Sequence, residues 1–181
     1  ARMIAEGIAG ALAMAHTATT WFLSFNPRNR RRIEALLDPI FMSTSDDVYE
    51  AVRDRVISTA GILRDAAAGN ITFICAPATD TECGGRNGYV RTNRRNEVNI
   101  CTPFFNLSLE ERKWMIMHEA AHLAGAMGPE IYYADFGTVD CSLQVGQIAS
   151  TRTALQNADS YARLIWCLTR PSSTILRPVT P

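Results

Sequence analysis

The five residues His118-Glu119-Ala120-Ala121-His122 constrain this chain more than any other stretch. Side chains four apart stand one above the other on a helix, and nowhere else in regular structure. A helix here brings two imidazoles to one metal ion, with a carboxylate at the next position beside them. Two His ligands and a Glu that takes a proton from an attacking water make up the HExxH pattern of zinc-assisted hydrolysis. Two of only three His in the chain are used in it.

The flanking residues supply the helix. Ser108-Leu109-Glu110-Glu111 reads as a capping box, with Ser108 as N-cap and Glu111 reaching back to it. Leu109, Trp114, Met117, Ala121 and Ala124 recur at helical spacing, which predicts one buried stripe and a His pair facing a cleft. No Gly or Pro interrupts before Gly125, and Gly128-Pro129 stops the helix.

At 181 residues the chain suits one domain with a substantial core. We expect a single domain over 1–181: N-terminal helices in 1–70, a small sheet in 71–105, the motif helix in 106–127, and a ligand loop with a C-terminal helix in 128–170. A net charge of zero gives no global field for nucleic acid. Lys113 is the only lysine among 18 basic residues, which fits an Arg-biased coding sequence or escape from lysine-directed cleavage or modification. The five Cys (75, 83, 101, 141 and 167) form no CxxC pair, so disulfides in an oxidising compartment are expected, with at least one thiol left over.

Residues 3 to 24 read as a long Ala-rich packing helix, with His16 a satisfied structural His. Met3 to Ala15 is apolar enough to resemble a signal-peptide core, but Glu6, Gly7 and Gly10 argue against one. Asn26-Pro27 breaks the helix, and a second runs from Arg28 to Leu37 with Arg30-Arg31-Arg32 on a solvated face. A third starts at Asp46-Asp47 and ends near Ala68, before Gly69-Asn70. Ile71–Cys75, Gly88–Arg91 and Glu97–Cys101 are short, β-branched or aromatic strands. Their sheet, expected to be of antiparallel type, offers an edge to which an extended peptide could add as a strand. Val145 to Leu168 reads as the last long helix. The fold class expected is α+β, mainly helical and zincin-like.

A catalytic zinc takes three protein ligands and keeps a fourth position for water. No His follows His122, so the candidates for a third ligand are Glu130, Asp135, Asp140 and Asp159. Asp140 ends Gly137-Thr138-Val139-Asp140, a tight loop able to return a short carboxylate. HExxH, then GTxD, then Asn157-Ala158-Asp159-Ser160-Tyr161 resembles the aspzincins, the deuterolysin-type and peptidyl-lysine metalloendopeptidases. Phe73-Ile74-Cys75, Cys83, Tyr89-Val90, Ile100-Cys101 and Phe104-Phe105 are similar to that family's sheet and cysteine pattern. The resemblance covers about 70 to 165. It implies Zn2+ held by His118, His122 and Asp140, Glu119 as catalytic base, a peptide or protein substrate, secretion, and a Cys83–Cys101 disulfide. No nucleic-acid or membrane partner is expected, and the protein is expected to be a monomer.

The chain departs from the family at two places. The family's loop continues to a Tyr-Gly pair that helps stabilise the oxyanion, and here Leu143 stands at the Tyr position. Losing one such donor costs about 100- to 1000-fold in rate, unless Tyr132 or Tyr133 supplies the phenol. The family's N-terminal partner for Cys75 is absent, which leaves Cys75 as the free thiol, while Cys141 and Cys167 could pair and pin the ligand loop to the last helix. Asp159 is a candidate partner for a ligand His. Glu130, Asp135 and Asp80 are the acids that could line a lysine pocket. Two readings compete with an active endopeptidase: a peptidase-fold binding domain of weakened catalysis, suggested by Leu143, and the protease part of a delivered toxin, suggested by the scarcity of lysine.

Overall fold

A computed structural model describes residues 1–128, 131, 141 and 148–170. Among the described residues, six α-helices and three short strands follow one another in the order α1 (Arg2–Leu23), α2 (Pro27–Phe41), α3 (Asp46–Ala67), β1 (Thr72–Cys75), β2 (Gly88–Tyr89), β3 (Glu97–Ile100), α4 (Leu109–Leu123), α5 (Thr151–Gln156) and α6 (Ala158–Leu168). A 3₁₀ turn, Thr102–Asn106, joins β3 to α4. The mainly helical α+β class is as expected.

Local chemistry sets most of the helix ends. Asn26 caps α2 by accepting from the Arg28 N–H at 2.9 Å, and Pro27 occupies the first turn, where no N–H is needed. α2 runs past its expected end at Leu37, because Pro39 removes only its own N–H and Met42 still closes on the Asp38 carbonyl. Ser45 caps α3, with Asp46 and Asp47 in the positive first turn.

α4 lies at the centre, with α1, α3 and α6 packed around it. From Trp114 to His122 every residue is buried, while Leu109 is exposed. The expected one-sided stripe is therefore corrected: three helices from distant parts of the chain cover α4 on all sides. Gly7 permits the α1 approach, since a Cβ there would stand 2.6 Å from Ile116 Cδ1.

The sheet has the order β1-β3-β2. β2 runs antiparallel to β3, but β1 pairs with β3 in parallel, Thr72 opposite Glu97. The expected antiparallel type thus holds for one pair only. The long excursion between β1 and β3 carries the chain back to the start of the sheet, and β2 takes the far side of β3. The Cys83–Cys101 disulfide closes this excursion onto the end of β3.

Two readings of the N-terminal helices change. His16 lies exposed on α1 rather than satisfied inside. Of the arginine run only Arg31 is fully solvated. Arg30 bonds Glu34 and Asp46 and sits 3.8 Å over the Tyr49 ring, and Arg32 sits 4.4 Å over Trp21. No helix among the described residues is long and apolar enough to cross a membrane.

Candidate active site

The motif helix begins as its sequence demands. Ser108 accepts from the Glu111 N–H at 3.3 Å, and Glu111 returns a carboxylate to the Ser108 N–H at 2.7 Å. The bonds to Ser108 hold the Glu111 carboxyl below its ordinary pKa. Its end is equally specified. Gly125 adopts φ +105°, its N–H bonds the His122 carbonyl, and the Ala126 N–H bonds the Ala121 carbonyl. This pair of bonds is the Schellman stop, which favours glycine at the left-handed position. Arg55 of α3 adds a guanidinium bond to the Ala124 carbonyl.

That reversal serves the site directly. It carries the Ala126 carbonyl back to His122, whose Nδ1 lies 2.7 Å from it. On the other imidazole, His118 Nδ1 lies 2.6 Å from Asp159 Oδ1 on α6. A carbonyl and a carboxylate oxygen can only accept, so each Nδ1 carries a proton, and in the neutral imidazole the lone pair is then on Nε2. The two Nε2 atoms are 3.0 Å apart. Two lone pairs at that distance repel unless a cation lies between them. Ligand bonds of about 2.0–2.1 Å at a tetrahedral angle place two nitrogens roughly 3.3 Å apart. The observed spacing is within a few tenths of an ångström of that value, so the residues present fit a divalent metal.

His118 is 5 % exposed, His122 8 % and Glu119 3 %. Burial in a low-dielectric interior strengthens every interaction with a charge placed there. Asp159, expected as the partner of a ligand His, meets His118 and also accepts from the Trp114 indole N–H at 3.0 Å, both on Oδ1. Trp114 reads from sequence as core. Its position one turn before His118, with a buried N–H to satisfy, is the signal that would have found it.

Asp140 lies outside the described residues, as do Glu130, Tyr132, Tyr133, Asp135 and Leu143. Among the described residues no group of three His, Cys, Asp or Glu side chains could hold a metal ion. The neighbour of Asp140 in sequence, Cys141, is described and forms a disulfide with Cys167 of α6. Cys75 is the free cysteine and is exposed. Asp80 accepts from the Tyr89 hydroxyl at 2.7 Å and from the Glu82 N–H, which together hold its carboxyl below the usual range.

The expected last helix, Val145 to Leu168, is two helices. Residues 145–147 lie outside the described set, 148–150 are not helical, and Ser150 caps α5. Asn157 then breaks the run with extended backbone before α6.

A buried HExxH helix with its two Nε2 atoms 3.0 Å apart, beside a small mixed sheet, fits a class: the zincin-like, metal-dependent peptidases. The chain belongs to the aspzincin family, whose model, described as lysine-specific metallo-endopeptidase, matches residues 34–164. It is accordingly a metal-dependent endopeptidase, a hydrolase acting on peptide or protein. A zinc peptidase from Grifola frondosa has the same fold: 91 % of this chain covers 92 % of that one with a TM-score of 0.65, at 16 % identity. No curated protein matches the chain in sequence.

Proposed function

We propose that the protein is a secreted zinc endopeptidase in which His118, His122 and Asp140 hold Zn2+ and Glu119 is the catalytic base. One observation carries this reading: the two Nε2 atoms lie 3.0 Å apart, each on a ring whose Nδ1 is already bonded. The metal, when bound, polarises the scissile carbonyl and acidifies water. Glu119, one residue after His118 on the same buried turn, takes the proton from the attacking water and delivers it to the leaving amine. Asp159 orients His118, and the Ala126 carbonyl orients His122. Asp140 supplies the third protein ligand from the GTxD loop, leaving a position for water and substrate.

An extended substrate adds to an edge of the sheet, where β1 and β2 are the outer strands. Hydrogen bonds from a bound peptide analogue to either strand test this. The single domain of 1–181 acts as a monomer, without nucleic acid or membrane. A net charge of zero supports the former exclusion, and the two disulfides support the secreted location. Of the three acids proposed for a lysine pocket, Asp80 is already engaged by Tyr89 and Glu82. A peptide-library digest reads the residue preference.

Glu119→Gln tests the assignment of the base. It should retain bound zinc and lose about 100- to 10,000-fold in casein or labelled-peptide turnover. Full activity in this variant would sink the role of Glu119, and Asp140→Ala with unchanged zinc content would sink that of Asp140.

A further inference from the structure

The break between α5 and α6 is made by a buried polar residue. Asn157 is 0 % exposed and has φ −91° and ψ 121°, an extended conformation inside a sequence that otherwise continues as helix. Its side chain faces the backbone of Ile131. Oδ1 accepts from the Ile131 N–H at 3.3 Å, while Nδ2 donates to the Ile131 carbonyl at 3.1 Å and to Ser160 Oγ at 3.2 Å. Beside it, the Gln156 carbonyl accepts from the Gly128 N–H at 2.7 Å. A primary amide is the side chain that offers a donor and an acceptor side by side, as a neighbouring strand would. Helix breaking alone needs no such pair, and glycine or proline would do it.

The location gives the clamp its meaning. Two residues after Asn157, Asp159 bonds His118. Nine residues after Ile131 in sequence comes Asp140. One short run of backbone therefore holds a histidine of the site with one side chain and the chain leading to the GTxD loop with another. We propose that Asn157 is a positioning residue of the metal centre, its amide fixing the chain at Ile131 from which Asp140 is delivered to the His pair. This rests on Asp140 being the third ligand.

The test uses the full chain with Zn2+ as the probe. Wild type, Asn157→Ala and Asn157→Asp are melted with and without zinc, and their affinities are read by competition with a chelating indicator. Loss of a group bonded directly to a ligand costs about 10- to 100-fold in metal affinity; Asn157 bonds Ile131 and Ser160 instead, so Asn157→Ala should bind zinc more weakly by a smaller factor, roughly three- to tenfold. The rise in Tm on adding zinc should shrink with it, because ligand stabilisation follows affinity. Asn157→Asp keeps the acceptor for the Ile131 N–H and loses the donor, and should fall between. A purely structural Asn157 would lower the metal-free Tm and leave the zinc increment alone. That result overturns the proposal, and so does failure of both variants to fold, which would assign Asn157 to folding. Asp140→Ala, measured alongside, separates the two claims. Unchanged affinity there removes the third-ligand reading, whereas loss there with none at Asn157 removes only the clamp.

Discussion

Replacing Asp159 separates charge from geometry at the His118 nitrogen. Two of its bonds fall on one oxygen: His118 Nδ1 at 2.6 Å and Trp114 Nε1 at 3.0 Å, each to Oδ1. In Asp159→Asn a carbonyl oxygen can occupy that position and keep these two acceptor contacts while the negative charge is lost. In Asp159→Ala both donors are left in a site where Asp159 itself is 2 % exposed. Each buried group stranded in this way costs about 1–3 kcal/mol, so the alanine variant should lose about 2–6 kcal/mol of stability. Removing an outer partner of a ligand His lowers metal affinity about 10- to 100-fold. The asparagine variant should sit near the low end, because the tautomer is preserved, and the alanine variant near the high end. Competition against a chelating zinc indicator measures the affinities, and urea denaturation of the metal-free forms measures the stabilities. An alanine variant that binds zinc as tightly as its parent would refute the argument that Asp159 orients His118. So would an asparagine variant weaker than the alanine one.

Other perturbations test the frame around the site. The double variant Cys141→Ala/Cys167→Ala should weaken zinc binding by about tenfold or more. Cys83→Ala/Cys101→Ala should destabilise the fold, by about 2–4 kcal/mol, with zinc affinity intact; equal affinities for the two pairs in the indicator assay would contradict this. Gly125→Ala forces a Cβ into a left-handed position and against Arg55 Nη1. It should cost about 1–2 kcal/mol in urea denaturation, and an unchanged midpoint would show that the Schellman stop is dispensable. Burial, then the bond to Asp80, push the Tyr89 phenol from an ordinary 10.0 up to about 12. A raised pKa means the bound proton favours the fold, so this contribution is full below pH 10.0 and lost as the pH climbs towards about 12. Tyr89→Phe should flatten that alkaline fall in stability, and an identical pH profile would remove Tyr89 as its cause.

How much of this was legible depended on whether the determinant was local. His118, Glu119 and His122 could be read because their spacing carries the geometry. Ser108 and Glu111 could be read because they satisfy each other's backbone groups within one turn, whereas the stop expected at Gly128-Pro129 is made three residues earlier, by Gly125. The failures were non-local. Leu109 and Trp114 share a helical stripe, but α4 is enclosed by α1, α3 and α6, so no stripe distinguishes its faces. Arg30 and Arg32 look solvated until Tyr49 and Trp21 come under their guanidinium planes. The run from Ala154 to Leu168 keeps helical apolar spacing through Asn157. What breaks it is Ile131, 26 residues earlier in the chain. The parallel β1–β3 pair was missed for a related reason: strands that follow each other by short turns suggest a meander, and only the full excursion shows that β3 pairs on both sides.

The same distinction runs through the metal site itself. His122 takes its tautomer from Ala126, four residues on, through a helix stop encoded by Gly125. His118 takes its tautomer from Asp159, 41 residues on, and so depends on α6 being docked against α4. One imidazole is therefore oriented by the helix it stands on, and the other only once the tertiary fold has closed. The two nitrogens reach 3.0 Å from each other only when both conditions hold. A metal held at both nitrogens, as proposed, would draw on the docking free energy of α6 and return it as stability of the α4–α6 contact. The Cys141–Cys167 bond and the Asn157 amide tie residues 141 and 131 to that same helix and to its N-cap. For this reason α6, which supplies Asp159, matters to the His pair as much as the helix that carries the histidines.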